Sequence, residues 1–232
     1  MNYIVIPAYQ PDNKLIKLIE KIHEKSDFRI LVIDDGSSSK CQNIFDKAEQ
    51  YATVLRHQVN QGKGQALKTA FTYIQQQNSY GTVVTADADG QHKIWDIFRT
   101  ANKASENPNK LILGVRAFTG KVPLRSRFGN SLTKALFKIQ TGVEVADTQT
   151  GLRAFTTNLI PFMLKIEGQR YEYEMNMLLE ASKEYQILEV PIETVYINDN
   201  EGSHFRPIRD GLMIYKNIFK FALSSLSSFV VD

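Results

Sequence analysis

The stretch TVVTADADGQH, residues 82–92, sets a β-branched run against two carboxylates, Asp87 and Asp89, and an amide, Gln91. A short apolar run that ends abruptly in acid reads as a buried strand opening onto a polar edge. If the chain stays extended beyond it, side chains alternate, so Asp87 and Asp89 project the same way with Gln91 just beyond. Two carboxylates so placed repel each other, and burying them unpaired is costly. A divalent cation removes that penalty, and oxygen-only ligands select a hard ion, Mg²⁺ or Mn²⁺, that also binds phosphates. The bland alternative is that the acids cap the next helix or pair with Lys or Arg.

Outward from this stretch the same rhythm repeats. YIVIP, RILVID, TVLRH, TVVTAD and KLILGV alternate with helix-length segments at 13–25, 39–51, 64–78 and 93–106. Such β-α repetition predicts an α/β fold, one Rossmann-like domain with a mostly parallel sheet flanked by helices. The predicted strands end in Pro7-Ala8-Tyr9, Asp34-Asp35-Gly36-Ser37, Asn60-Gln61-Gly62-Lys63-Gly64, Asp87-Ala88-Asp89 and Arg116. Ligands of open α/β sheets bind at the carboxyl ends of the strands, so these residues should converge on one crevice. In the DDGS turn one Asp can accept hydrogen bonds from a ribose or base while the other orients the loop. NQGKGQA lacks the spacing of a phosphate-binding P-loop, and its glycines are expected to allow a tight turn near a nucleotide.

After Arg116 the rhythm changes. The segment 118–142 reads as a loop and then a helix, DTQTGLRAFTTNLIPFML as a hairpin or short strand before another helix, and YEYEMNMLLEASKEY as a further helix leading to QILEVPIETVYI. No linker or repeat divides the halves, so residues 1–210 read as one domain whose second half builds the acceptor side of the crevice.

Composition narrows the partners. The 232 residues are 43% hydrophobic and 23% charged, ordinary for a globular chain with a sizeable core, and the net charge of +3 mildly favours anionic partners. No basic stripe with interleaved aromatics marks a nucleic-acid binder. Cys41 is the lone cysteine, which excludes an intrachain disulfide, and His23, His57, His92 and His204 lack zinc spacing. Met1 leads straight into YIVIPAY, so no signal peptide is expected, and no apolar run reaches the roughly 18 residues of a membrane span. The last stretch, IYKNIFKFALSSLSSFVVD, grows steadily more apolar around Lys216 and Lys220. Residues 211–232 read either as an amphipathic helix closing the core or as a membrane-surface helix, the lead-in to a membrane segment.

Taken in order, VIPAY, VIDDGS, NQGKGQAL, TADADGQH, GVR, RSRFGN, DTQTGLRAF and EVPIETVY resemble the family 2 inverting glycosyltransferases, in particular the polyprenyl-phosphate sugar synthases related to dolichyl-phosphate mannose synthase. The resemblance implies a GT-A fold, a nucleotide-sugar donor, a divalent metal and a membrane-embedded polyprenyl phosphate acceptor. It implies that Pro7, Ala8, Tyr9 and Asp35 line the nucleoside pocket, with Asp34 beside them and Lys63 near the donor. Asp87, Asp89 and Gln91 are then the metal site, with Asp89 also able to orient the acceptor. Arg116, Arg127 and Arg206 are the implied clamp on the acceptor phosphate. Where a mannose synthase typically carries GESK this chain has EGSHF, so mannose is not implied; a uridine nucleotide of glucose or N-acetylglucosamine is favoured.

The resemblance also gives residues 211–232 a membrane-proximal role, at the cytoplasmic face, and leads to the expectation of a catalytic portion of a longer protein. A homo-oligomer is compatible with all of this. The competing reading is a family 2 enzyme acting on a saccharide hydroxyl in polysaccharide synthesis, which needs a carboxylate base over its acceptor. A nucleotidyltransferase is disfavoured by VIPAYQPD, which is not a G-x-G-T-R loop, and a phospho-receiver domain leaves DADGQ without a role.

Overall fold

The computed structural model of the chain describes residues 1–116 and 124–193, the side chains of 124–129 excepted. Seven strands form one sheet: β1 (Tyr3–Ala8), β2 (Arg29–Asp34), β3 (Thr53–Arg56), β4 (Thr82–Thr85), β5 (Lys110–Arg116), β6 (Arg153–Thr156) and β7 (Gln186–Ile192). Their order is β3-β2-β1-β4-β6-β5-β7, and every neighbouring pair is parallel except those made by β6. The predicted α/β architecture is therefore present. The short strand read between 147 and 164 enters the sheet backwards, between β4 and β5. Its first residue, Arg153, stands opposite Thr85, the last residue of β4. That insertion brings a second segment to the edge where the parallel strands end.

The helices follow from amphipathic spacing. In α1 (Asn13–Lys25), Asp12 caps the first turn by accepting Lys14 N–H at 2.8 Å, and Leu15, Ile16, Leu18, Ile19 and Ile22 are buried. The segment predicted at 39–51 is a 3₁₀ turn, Ser39–Cys41, followed by α2 (Gln42–Ala48). Then come α3 (Lys63–Gln76), α4 (Ile94–Glu106), α5 (Leu124–Thr141), α6 (Ile160–Lys165) and α7 (Glu172–Glu184).

Strand alternation splits the core in two. Tyr3 and Val5 of β1 face one side, with Phe71 of α3, Met163 of α6, Leu178 of α7 and Phe155 of β6. Ile4 and Ile6 face the other, with Leu15 and Ile19 of α1, Phe45 of α2 and Ile97 of α4. Helices thus cover both faces, and strand order reverses between β1 and β4. Polar groups are left to gather at the carboxyl edge around that reversal. Among the described residues no helix is long and apolar enough to cross a membrane. Arg206 and the helix predicted over 211–232 lie outside the described residues.

Candidate active site

The sequence places Asp34 and Asp35 at one strand end, and the structure divides their labour. Asp34 Oδ1 accepts Ser37 N–H at 2.8 Å, closing the turn at Gly36, whose φ of 72° suits glycine. A Cβ on Gly36 would lie 2.2 Å from the Val59 carbonyl carbon, so the turn packs against the loop after β3. Asp35 organises that loop. Its Oδ1 accepts from His57 Nδ1 (2.8 Å) and Gln61 N (2.9 Å), and its Oδ2 from Asn60 Nδ2 (2.9 Å) and Gly62 N (2.8 Å). The carboxylate's four acceptor positions are filled by the protein. His57, dismissed as a zinc ligand from spacing, is the partner that couples Asp35 to Thr69 of α3, its Nε2 lying 2.9 Å from the Thr69 hydroxyl.

The loop after β1 joins this scaffold. Gln10 N–H donates to Ser37 Oγ at 2.9 Å, and the Ser38 hydroxyl to Gln10 Oε1. Pro7 and Ala8 end β1 with Ala8 buried, while Tyr9 is exposed beside them.

Glycines in NQGKGQA serve close packing at the turn that opens α3. Gly62 has φ 103°, and a Cβ there would meet Gln169 O at 2.5 Å; one on Gly64 would meet Tyr173 Cβ at 2.5 Å. The expected tight turn is thus accompanied by a close approach to residues 169–173. That approach decides the site. Lys63, the first residue of α3, is pressed between the end of β4 and the first turns of α7. Its ammonium lies 2.7 Å from Asp87 Oδ1 and 2.8 Å from Glu174 Oε2. Burial disfavours the ammonium, but Asp87 and Glu174 outweigh it and hold the Lys63 pKa well above the ordinary lysine value. Burial likewise opposes the Asp87 carboxylate, and Lys63 with His92 overrides it, holding Asp87 well below the usual carboxylate range.

The geometry of TADADGQH differs from simple alternation. The strand stops at Thr85, and a turn at residues 88–90 includes Gly90 at φ 74°. Asp89 Oδ1 accepts Gln91 N–H at 2.9 Å, a local bond that competes with extension. Asp87 and Asp89 still act on one another: burial first and the Asp87 charge second push the Asp89 pKa upward. Two crowded carboxylates with oxygen-only chemistry fit a hard cation that keeps its waters and takes further oxygens from a diphosphate. Among the described residues no three His, Cys, Asp or Glu groups form a ready metal cage.

Several residues of the site carry no signal in strand-end logic. Glu174 is set on α7 two positions after Glu172, and the helix turns them apart. Glu172 caps its own N-terminus, accepting Gln169 N–H (3.0 Å) and Arg170 N–H (3.1 Å), while Glu174 faces Lys63. Arg153, 1% exposed, donates Nε to Thr150 O (3.0 Å) and Nη1 to Glu174 O (2.5 Å). Burial pushes its pKa down, against the charges of Glu174, Asp147 and Asp87. Gly151 lies so close that a Cβ would be 2.4 Å from Asp87 Oδ2. The unusual run T-G-L-R after a strand-poor stretch was the available clue.

Arg116, expected on an acceptor phosphate, forms a bidentate pair with Asp147, Nε at 2.5 Å and Nη2 at 3.0 Å, and Asp147 is fully buried. Arg127 lies on α5, where only the backbone is described, and Gln91 follows the turn that Asp89 closes.

The mostly parallel sheet with one reversed strand, its helix-covered faces and its acidic carboxyl edge agree with the class of GT-A-like glycosyltransferases. Residues 3–162 match the model of Glycosyl transferase family 2, and the chain belongs to that family. It is 26% identical over 215 residues to the UDP-N-acetylglucosamine–dolichyl-phosphate N-acetylglucosaminyltransferase of Methanococcus voltae, covering 84% of this chain and 85% of that one. It is 25% identical over 252 residues to the dolichyl-phosphate beta-glucosyltransferase of Saccharomyces cerevisiae, covering 93% and 72%. In fold it is similar to glucosyl-3-phosphoglycerate synthase of Mycobacterium tuberculosis, crystallised with Mn²⁺, UDP and glucosyl-3-phosphoglycerate. There the TM-score is 0.67 at 17% identity, over 97% of this chain and 79% of that one. The chain is a glycosyltransferase.

Proposed function

We propose that this enzyme transfers a sugar, with inversion, from a nucleotide sugar to a polyprenyl phosphate, with a UDP-sugar favoured as donor. The observation that carries the reading is the Asp87–Lys63–Glu174 cluster, with Asp89 alongside, at the carboxyl edge where strand order reverses. It matches the charge of a diphosphate leaving group: carboxylates for a divalent cation and an ammonium for phosphoryl oxygens. The acceptor class is supported by the dolichyl-phosphate transferases of Methanococcus voltae and Saccharomyces cerevisiae, and a divalent ion by the Mn²⁺ and UDP of the mycobacterial enzyme.

The mechanism follows from the acceptor. A phosphomonoester is largely dianionic at neutral pH, with a second pKa of about 6, so it attacks without a strong general base. The protein's task is placement and charge control. Asp87, Asp89 and Gln91 would hold the cation, Mg²⁺ or Mn²⁺, which would supply positive charge to a diphosphate leaving group. Lys63 lends a second positive charge to the same oxygens. The loops fixed by Asp34 and Asp35 shape the nucleoside pocket beside Pro7, Ala8 and Tyr9. In-line attack from the opposite face inverts the anomeric carbon.

Arg127 and Arg206 are assigned to the acceptor phosphate, while Arg116, paired with Asp147, anchors the end of β5. Transfer to a saccharide hydroxyl needs a carboxylate base, and Glu174 is engaged by Lys63 instead. A lipid acceptor is the reason for assigning the enzyme to the cytoplasmic face of a membrane, and residues 211–232, apolar around Lys216 and Lys220, to contact with it. The test is a panel of radiolabelled nucleotide sugars offered with polyprenyl phosphate and Mn²⁺ or Mg²⁺. A chloroform-soluble product that chelation abolishes is expected, and Asp89→Ala should abolish it with the far-UV spectrum unchanged. Full activity in Asp89→Ala overturns the metal assignment.

A further inference from the structure

Lys63 occupies an awkward place for a cation. It opens α3, where the helix dipole presents its positive end. Two carboxylates compensate. The ammonium is shared almost evenly between Asp87 Oδ1 at 2.7 Å and Glu174 Oε2 at 2.8 Å. Glu174 has capacity to spare, because its Oε1 is buried with no hydrogen-bond partner. Asp87 is claimed from the other side as well: Oδ2 lies 3.4 Å from His92 Nε2, a buried ring nitrogen that makes no hydrogen bond of its own. A cation that binds Asp87 must therefore compete with a positive charge already there.

We propose that Lys63 is a resident counter-ion, which holds Asp87 before a divalent cation binds and cedes it on arrival by withdrawing onto Glu174. This rests on the reading of Asp87 and Asp89 as the metal site. Charge drives the exchange. A lysine and a divalent ion cannot share one carboxylate oxygen without strong repulsion, whereas both are accommodated if the ammonium moves to the second oxygen of Glu174. Lysine suits such a move, being a compact charge on a flexible stem with three rotatable donors. Affinity for the ion alone is thereby held down. Donor binding raises it, because the diphosphate adds negative charge to the cation and gives Lys63 a further partner.

The test is Mn²⁺ binding followed by electron paramagnetic resonance of the free ion, on the whole chain, with and without UDP. Without UDP, Lys63→Met should bind Mn²⁺ more tightly than the parent protein, by about tenfold. Glu174→Gln should bind it more weakly, by about threefold or more, since the ammonium then falls wholly to Asp87. Shifts of opposite sign are the signature, because a merely structural ion-pair cluster weakens the same way whichever member is removed. Shifts of the same sign, or none, overturn the inference. Should Lys63→Met fail to fold, Lys63→Gln, which keeps a neutral polar stem between Asp87 and Glu174, takes its place: tighter Mn²⁺ binding supports the exchange, and unchanged or weaker binding overturns it. If the parent protein binds no Mn²⁺ even with UDP, the metal reading itself falls and takes the inference with it.

Discussion

Replacing Asp35 by asparagine changes one oxygen to an NH₂ and little else, in a place where four donors converge. Either orientation of the new amide is compromised. With the NH₂ on the Oδ2 side it faces Asn60 Nδ2 and Gly62 N–H. Asn60 can turn its own amide, at the expense of the 3.1 Å bond its Oδ1 accepts from Arg170, but a backbone N–H cannot reverse. With the NH₂ on the Oδ1 side, His57 can change tautomer, because the Thr69 hydroxyl accepts as well as donates, and the Gln61 N–H is then stranded. One orphaned backbone donor costs about 1–3 kcal/mol, and the remaining bonds lose the strength lent by a charged acceptor. A total near 3 kcal/mol is expected. Urea unfolding followed by circular dichroism should show the midpoint falling by roughly 1–2 M at unchanged slope. The donor KM should rise, because the loop from 57 to 62 leads directly into Lys63 at the start of α3. A loss under about 1 kcal/mol would refute the view that Asp35 is the keystone of that loop.

Other outcomes follow from the same contacts. Gly151→Ala drives a methyl against the Asp87 carboxylate, so transfer should fall about 100-fold while the urea midpoint hardly moves; wild-type kcat would remove Asp87 from the site. Arg116→Ala leaves Asp147 buried without its bidentate partner and should cost about 3 kcal/mol, part of it regained in the double variant with Asp147→Asn. Equal losses in single and double variants would show that the pair is not the cause. Arg127→Ala should raise the KM for lipid phosphate and leave the donor KM near its original value; the reverse pattern would assign Arg127 to the donor.

The α/β class, the order of helices and strands, and the gathering of acids at the carboxyl edge were all legible in the sequence. Each depends on local periodicity: β-branched runs of four to seven residues, amphipathic helices between them, and polar residues where a strand runs out. The Asp87 and Asp89 pair was visible for the same reason. Its geometry was not, because the strand has already stopped at Thr85, and a turn with Gly90 and the bond from Gln91 N–H to Asp89 replaces the extended alternation.

Only the tertiary structure decided which charges meet. Glu174 is 111 positions from Lys63 in the chain, and its companion Glu172 is the same residue type, so sequence offers no way to tell the site residue from the helix cap. The choice is made where Gly62 and Gly64 let α3 approach residues 169–173, closer than any side chain would permit. Arg116 shows the converse. Its place at a strand end was readable, and its bond to Asp147 was not, because pairing across a sheet with a reversed strand is a matter of packing. Sequence by itself determined which chemistry is present at the edge of the sheet. Burial, which forces each charge to find a partner from a distant part of the chain, decided how that chemistry is wired.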